Sequence, residues 1–265
     1  MLIGDEPGIA DASRSIGARH LPEVERNASG TPLIASMFEI ARRESQSPLL
    51  CIINSDIILL PDFVLAAQQA ASLVKEFVLL SRRWDLNSRQ DIDFSVGWHD
   101  RLLQATRKDG QLHPPSGSDY FVFPRACYRE VPAFAIGRAG WDNWMIYKAR
   151  QQRWALIDAT PSVVAIHQLH DYAHLPGGKS HHTLPETDDN IRMAGGQAAI
   201  RYTVLDATHE LVSGKLVRPA WSTGRLVRQL ELLLRRVFAA WPEDSLENVV
   251  RPKRWLKRLR RLFKW

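Results

Sequence analysis

Short apolar runs alternate along the first eighty residues with stretches in which apolar residues recur every three to four positions. This alternation predicts strands and helices in turn. A very short apolar start at Leu2-Ile3 precedes a helix over residues 7 to 18, with Ile9, Ala12 and Ile16 on one side. Residues 19 to 24 read as a short strand. Thr31-Pro32 reads as a helix start, Thr as N-cap and Pro at the first helical position, and Leu33, Ile34, Met37, Phe38 and Ala41 follow at helical spacing. Pro48 breaks that helix, Leu49 opens an apolar run, Pro61 opens a helix to about Glu76, and residues 77 to 81 form the next strand. Strand and helix in alternation is the signature of a wound, mostly parallel sheet.

Beyond Arg82 the pattern loosens. Residues 82 to 118 are polar, with Gly and Pro, and predict only a short helix over 96 to 106. A polar turn at Gly117-Ser118-Asp119 feeds a strand at Tyr120-Phe121-Val122-Phe123. Trp141-Asp142-Asn143-Trp144 opens a helix, and residues 154 to 158 and 162 to 167 read as strands. Residues 176 to 190, rich in Gly, Pro and charge, predict a loop; residues 200 to 206 a last strand; residues 225 to 240 an amphipathic helix ended by Pro242.

The run from Leu49 to Phe63 carries the first candidate chemistry. Asn54, Ser55 and Asp56 interrupt it near its middle. Leu49 to Ile53 reads as a buried strand of a parallel sheet, and ligands of such sheets bind beyond the carboxyl ends of the strands. Asp56 there is either a metal or phosphate ligand, or Asn54 and Asp56 merely shape a turn and cap the next helix. Five of the nine histidines fall between residues 167 and 182: His167, His170, His174, His181 and His182. His167, at a strand end, is the first candidate metal ligand, His170 the second; a structural role is the alternative for each. Asp142, at a helix start, is a candidate base or an ordinary cap.

Composition changes the picture in one place. The net charge is +6, yet residues 251 to 265 hold eight Lys and Arg and no acid. The remainder is near neutral, so the basic character belongs to one terminal device. Trp255, Leu256, Leu259, Leu262 and Phe263 among those cations predict an amphipathic helix on an anionic membrane surface, with a solvated tail as the alternative. No nucleic-acid motif accompanies it, and none is expected as a partner. Two cysteines, Cys51 and Cys127, make no disulfide framework and suit a reducing cytosol. Without a signal-peptide pattern or an apolar run of spanning length, a cytoplasmic protein peripheral at the inner face of the membrane is expected.

Taken in order, Asn54-Ser55-Asp56, Gly117-Ser118-Asp119-Tyr120-Phe121, Trp141-Asp142-Asn143-Trp144 and His167-Gln168-Leu169-His170-Asp171-Tyr172 resemble family 2-like bacterial glycosyltransferases of the GT-A fold, over roughly residues 2 to 210. The resemblance implies an α/β domain over residues 1 to 212, with a mixed, mostly parallel sheet flanked by helices, and a helical C-terminal extension over 213 to 265 with a basic amphipathic tail. It implies hexosyl transfer from a nucleotide-sugar donor to a glycan or lipid-linked hydroxyl acceptor, with inversion, in cell-surface polysaccharide synthesis. It places Mn2+ or Mg2+ on Asp56 with His167 or His170, and makes Asp142 the general base. A helix N-terminus should keep that base ionised and lower its basicity. Donor or acceptor contacts fall to Asn54, Ser55, Asp119, Tyr120, Trp141 and Asn143; turn capping for Asp119 and core packing for Trp141 and Trp144 stand beside those roles.

Two departures accompany the resemblance. Asn54 stands where the family's metal motif has its first acid. The chain also enters at what corresponds to the family's second strand, Leu2-Ile3-Gly4-Asp5, so an uncovered or substituted central position in the sheet is expected. Both favour an alternative reading, a catalytically degenerate, membrane-associated glycan- or partner-binding module. A metal-dependent hydrolase using the histidines with Asp56 or Asp171 ranks third, because no tight His-Glu-His ligand motif is present.

Overall fold

The computed structural model describes residues 1–87, 92–169 and 184–237. The candidate residues His170 and Asp171, the other clustered histidines His174, His181 and His182, and the basic segment 251 to 265 lie outside the described residues. The chain divides into two units, Met1–Arg218 and Pro219–Trp265.

In the first unit the predicted alternation is present: β1 (Leu2–Ile3), α1 (Ile9–Ser15), β2 (His20–Leu21), α2 (Ile34–Glu44), β3 (Leu49–Ile53), β4 (Ile57–Leu59), α3 (Asp62–Leu73) and β5 (Phe77–Leu80). There follow β6 (Arg83–Leu86), α4 (Trp98–Asp109), β7 (Gln111–Leu112), β8 (Tyr120–Pro124), α5 (Trp141–Gln151), β9 (Ala155–Asp158), β10 (Ala165–Gln168), α6 (Pro185–Met193), β11 (His209–Val212) and β12 (Lys215–Val217). Strands β11 and β12 pair as a hairpin. The first unit, which runs to Arg218, includes this hairpin.

The main sheet has the order β12-β11-β9-β5-β8-β3. Strands β5, β9 and β11 run parallel, while β8 is antiparallel to both β5 and β3. The sheet is mixed, and helices cover both faces. On one face Ile34 and Phe38 of α2 and Trp144, Met145, Ile146 and Ala149 of α5 pack on Leu50, Val78, Leu80, Phe121, Phe123 and Leu156. On the other, Ala66, Ala67 and Ala70 of α3 pack on Phe77, Leu79, Tyr120, Val122 and Ile157. Neighbouring residues of one strand feed opposite cores, as the two-residue repeat of a strand requires. A smaller sheet, β4-β10-β6-β7, lies beside it, with Leu102 of α4 packed on Leu60, Leu86 and Ile166. Among the described residues no helix is long and apolar enough to cross a membrane.

Strand β3 departs from the expected buried, parallel strand. It pairs antiparallel with β8 and forms an edge of the sheet. Asn54 N donates to Asp119 O (2.9 Å) and Arg125 N to Pro48 O (2.8 Å). Even-numbered residues thus direct their backbone groups at β8, and Leu49, Cys51 and Ile53 turn theirs outward. Among the described residues no strand pairs with that outer edge, and the side chains of Cys51 and Ile53 are exposed. The open position is at this edge and not central: β11, β9, β5 and β8 each have a neighbour on both sides. An open apolar edge is a template for chain-to-chain pairing, which charged residues suppress. Ile53→Lys is expected to reduce aggregation on concentration, followed by light scattering, with stability changed by no more than about 0.5 kcal/mol. Undiminished scattering would show that another surface drives association.

Three further expectations are corrected. Helix α2 begins two residues later than predicted, with Leu33 at its N-cap, because Pro32 is held in a bridge with Arg26 and accepts from Ile136 N. The predicted strand over 200 to 206 is two single turns of tight helix, Ala199–Arg201 and Val204–Asp206, which bury Ala199 and Val204 against the α5 side of the core. Residues 185 to 190, predicted as loop, begin α6, whose Asn190 is fully buried and bonds to both the N–H and C=O of Ala135.

Candidate functional site

The small sheet builds the site. In its register His167 of β10 lies opposite Asp85 of β6 on one side and Ile57 of β4 on the other. Asp56, one residue before Ile57, is thereby carried beside His167. His167 Nε2 is 3.2 Å from Asp56 Oδ2, and His167 Nδ1 is 3.1 Å from Asp85 Oδ1. The ring of His167 is buried and held between two carboxylates.

Asp85 is a hub. Its Oδ2 lies 2.6 Å from His113 Nδ1, and its Oδ1 accepts from Arg83 Nε at 3.0 Å. Gly117 leaves room for the His113 ring, which a Cβ there would strike. Burial alone would push the Asp85 carboxyl up; His113 and Arg83 outweigh it and hold it below its ordinary value. Arg83 in turn donates through Nη1 to Asp119 Oδ1 and Oδ2, both at 2.8 Å. Burial works against the Arg83 charge, but Asp119 and Asp85 together hold its pKa above the ordinary arginine value. Asn54 Nδ2 donates to Asp119 Oδ1 at 3.0 Å, which ties the end of β3 to the start of β8. Asn54 therefore serves this structure as a donor to a carboxylate.

Asp142 enters from the other core. Gly140 takes the N-cap of α5 at φ 108°, a left-handed conformation that favours glycine. Asp142 is the second helical residue and not the cap. Part of its surface meets solvent. Surrounding protein desolvates the carboxyl, and together with the Asp119 charge pushes its pKa up to about 6, against the N–H groups of Asn143, Asp142 and Gly140. The expected lowering by the helix terminus is reversed, because desolvation exceeds the favourable dipoles.

The structure thus joins Asp56, His167, Asp85, Arg83, Asp119 and Asn54 by direct contacts, with Asp142 within electrostatic reach of Asp119. Ser55 is exposed beside them. Two predicted contact residues lie elsewhere. Tyr120 is buried and meets Phe63 edge-on, and Trp141 is buried against Phe121. Both are packing residues. Asn143 donates Nδ2 to Tyr202 O at 2.8 Å and ties α5 to the turns after α6.

Arg83, Asp85 and His113 were absent from the predicted site. Arg83-Trp84-Asp85-Leu86 does alternate polar and apolar residues, the strand signal that would have found the first two. His113 carries no such local signal.

Among the described residues no group of three or more His, Cys, Asp or Glu side chains is arranged to hold a metal ion. The pair Asp56 and His167 does fit a partial set. Neighbouring ligand atoms on an octahedral ion at about 2.1 Å lie about 3 Å apart, close to the 3.2 Å between Oδ2 and Nε2. Asp85 then holds the second nitrogen of His167, as the outer partner of a ligating imidazole does.

Comparison with models of known protein families finds no match, and no curated protein matches the chain.

Proposed function

We propose that the protein is a metal-dependent glycosyltransferase that moves a sugar from a nucleotide-sugar donor to a hydroxyl acceptor, with inversion, in the synthesis of cell-surface or lipid-linked glycans. The observation that carries the reading is the pairing of two unlike devices, one in the contact network and one within electrostatic reach of its Asp119. One is the Asp56–His167 pair, spaced as ligand atoms on one ion. The other is Asp142, a carboxyl poised at about 6.

A bound Mn2+ or Mg2+ would neutralise the diphosphate leaving group. Asp56 and His167 would hold it, and Asp85 would fix the orientation of His167. Asp142 accepts the proton of the attacking acceptor hydroxyl; a base near neutrality suits that task. Attack from the side opposite the leaving group inverts the anomeric carbon. Arg83 clamps Asp119, which keeps a negative charge near Asp142 and so sustains its basicity.

The open edge of β3 favours the degenerate binding module as the second reading, since a sheet position beside the site has no occupant among the described residues. One experiment separates the two. The protein is incubated with Mn2+, a panel of nucleotide sugars and simple glycan acceptors, and release of nucleoside diphosphate and the product's anomeric configuration are recorded. An inverted glycoside from one donor supports the transferase. Glycan binding with no turnover of any donor would establish the module instead.

A further inference from the structure

Helix α7 (Thr223–Val237), in the second unit, is built inside out. Arg228 and Glu231 form an ion pair at 3.1 Å with their side chains only 3% and 5% exposed. Leu226, Leu230 and Leu233, spaced four and three apart and so on one stripe, are 51%, 50% and 56% exposed. A helix bathed only in water turns its charges out and its leucines in. Just ahead of the helix, Trp221 is 82% exposed. A tryptophan of that kind suits the boundary between water and hydrocarbon.

Charge identifies what covers the stripe. From Lys215 to Val237 the one acid is Glu231, already engaged by Arg228, while Arg218, Arg225, Arg235 and Arg236 add positive charge. Eight more cations follow at residues 251 to 265. A second copy of this segment would bring like charge against like charge. An anionic lipid surface offers the opposite charge and an apolar layer for the leucines.

We propose that α7 docks on an anionic membrane surface, with Leu226, Leu230 and Leu233 dipping into the acyl boundary and Trp221 beside them. This assigns the membrane contact to a second element besides the basic segment 251 to 265, and it holds whatever reaction the first unit catalyses.

The test is co-sedimentation of the full chain with vesicles of phosphatidylcholine plus phosphatidylglycerol and with vesicles of phosphatidylcholine alone. The expected result is strong binding to the anionic vesicles only, weakened by salt. Leu230→Glu with Leu233→Glu is expected to lower the partition about tenfold or more, Trp221→Ala to lower it several-fold, and Val64→Glu, at an exposed apolar position of α3, to leave it unchanged. Trp221 precedes the helix, so its variant reads binding without touching α7. Three results would overturn the proposal. The first is unchanged binding in both the double leucine variant and Trp221→Ala, with loss only on deletion of residues 251 to 265. The second is equal loss in Val64→Glu. The third is a dimer in gel filtration that the double leucine variant dissociates, which would make a second copy the occupant.

Discussion

Asp142→Asn is expected to lose activity and gain stability at the same time. The loss follows from removing the base: a positioned proton acceptor contributes about 10²- to 10⁴-fold, so kcat should fall in that range with KM little changed. The gain follows from the raised pKa. In the unfolded chain this carboxyl titrates near its ordinary value of about 4, whereas in the folded protein burial and then Asp119 push it up to about 6. Between those values the folded protein binds the extra proton, so stability falls as pH rises from about 4 to about 6 and stays lower above. Asparagine mimics the protonated carboxyl at every pH. Above pH 6 the variant should therefore be more stable by about 1–3 kcal/mol, the lower figure allowing for solvent at the partly open face. Denaturant melts of both proteins at acid and neutral pH check this. A variant that loses stability at neutral pH would show that the ionised carboxylate holds the fold, and its role as base would then need another residue. In the wild type, kcat/KM should rise with pH through about 6, because the ionised form is the active one.

Asp85→Ala is expected to damage both fold and site. It removes a carboxylate that faces Arg83, His113 and His167. Leaving a largely buried guanidinium and two imidazoles without that acceptor should destabilise the protein by about 2–4 kcal/mol. His167 also loses the bond that fixes its ring, and outer partners of this kind affect metal affinity by about 10- to 100-fold. Asp85→Asn keeps an acceptor oxygen for Arg83 but not the charge. It should recover much of the stability while Mn2+ affinity stays low. Calorimetric titration of Mn2+ into wild type and both variants checks this. Equal Mn2+ affinity in all three would mean that Asp85 supports the sheet alone.

What was legible in the sequence followed local pattern. Leu49–Ile53, between Pro48 and Asn54, read as a strand followed by polar groups, and Asp142 stood at the start of a helix marked by the apolar positions after it. The strand's place in the sheet was less legible. Residues that read as doubly buried belong to an edge, because whether an apolar strand has one neighbour or two depends on pairing partners far away in the chain. The site was half legible for the same reason. Asp56 and His167 stood out as polar residues at strand ends. Arg83 and Asp85 sit in a four-residue strand inside a segment whose overall polarity suggests loop, and only the register of β6 against β10 brings Asp85 to His167. Tyr120 and Trp141 were drawn into the predicted site by position next to Asp119 and Asp142; in a strand and a helix, adjacent residues point to different sides. Helix α6 carried its signals openly, Pro185 at the first position and Glu186 and Asp188 in the first turn, but Gly and Pro just upstream suggested loop for the whole stretch.

The most direct test of a donor site at Asp56 and His167 is thermal unfolding with a panel of nucleoside diphosphates, with and without Mn2+, in wild type and Asp56→Ala. A ligand bound only by the folded state adds about 2.7 kcal/mol of stability at a hundredfold excess over its Kd. One nucleotide is expected to raise the midpoint, only with Mn2+, and Asp56→Ala to abolish the shift while keeping its own fold. No shift with any nucleotide, or an equal shift in Asp56→Ala, would contradict a donor site there.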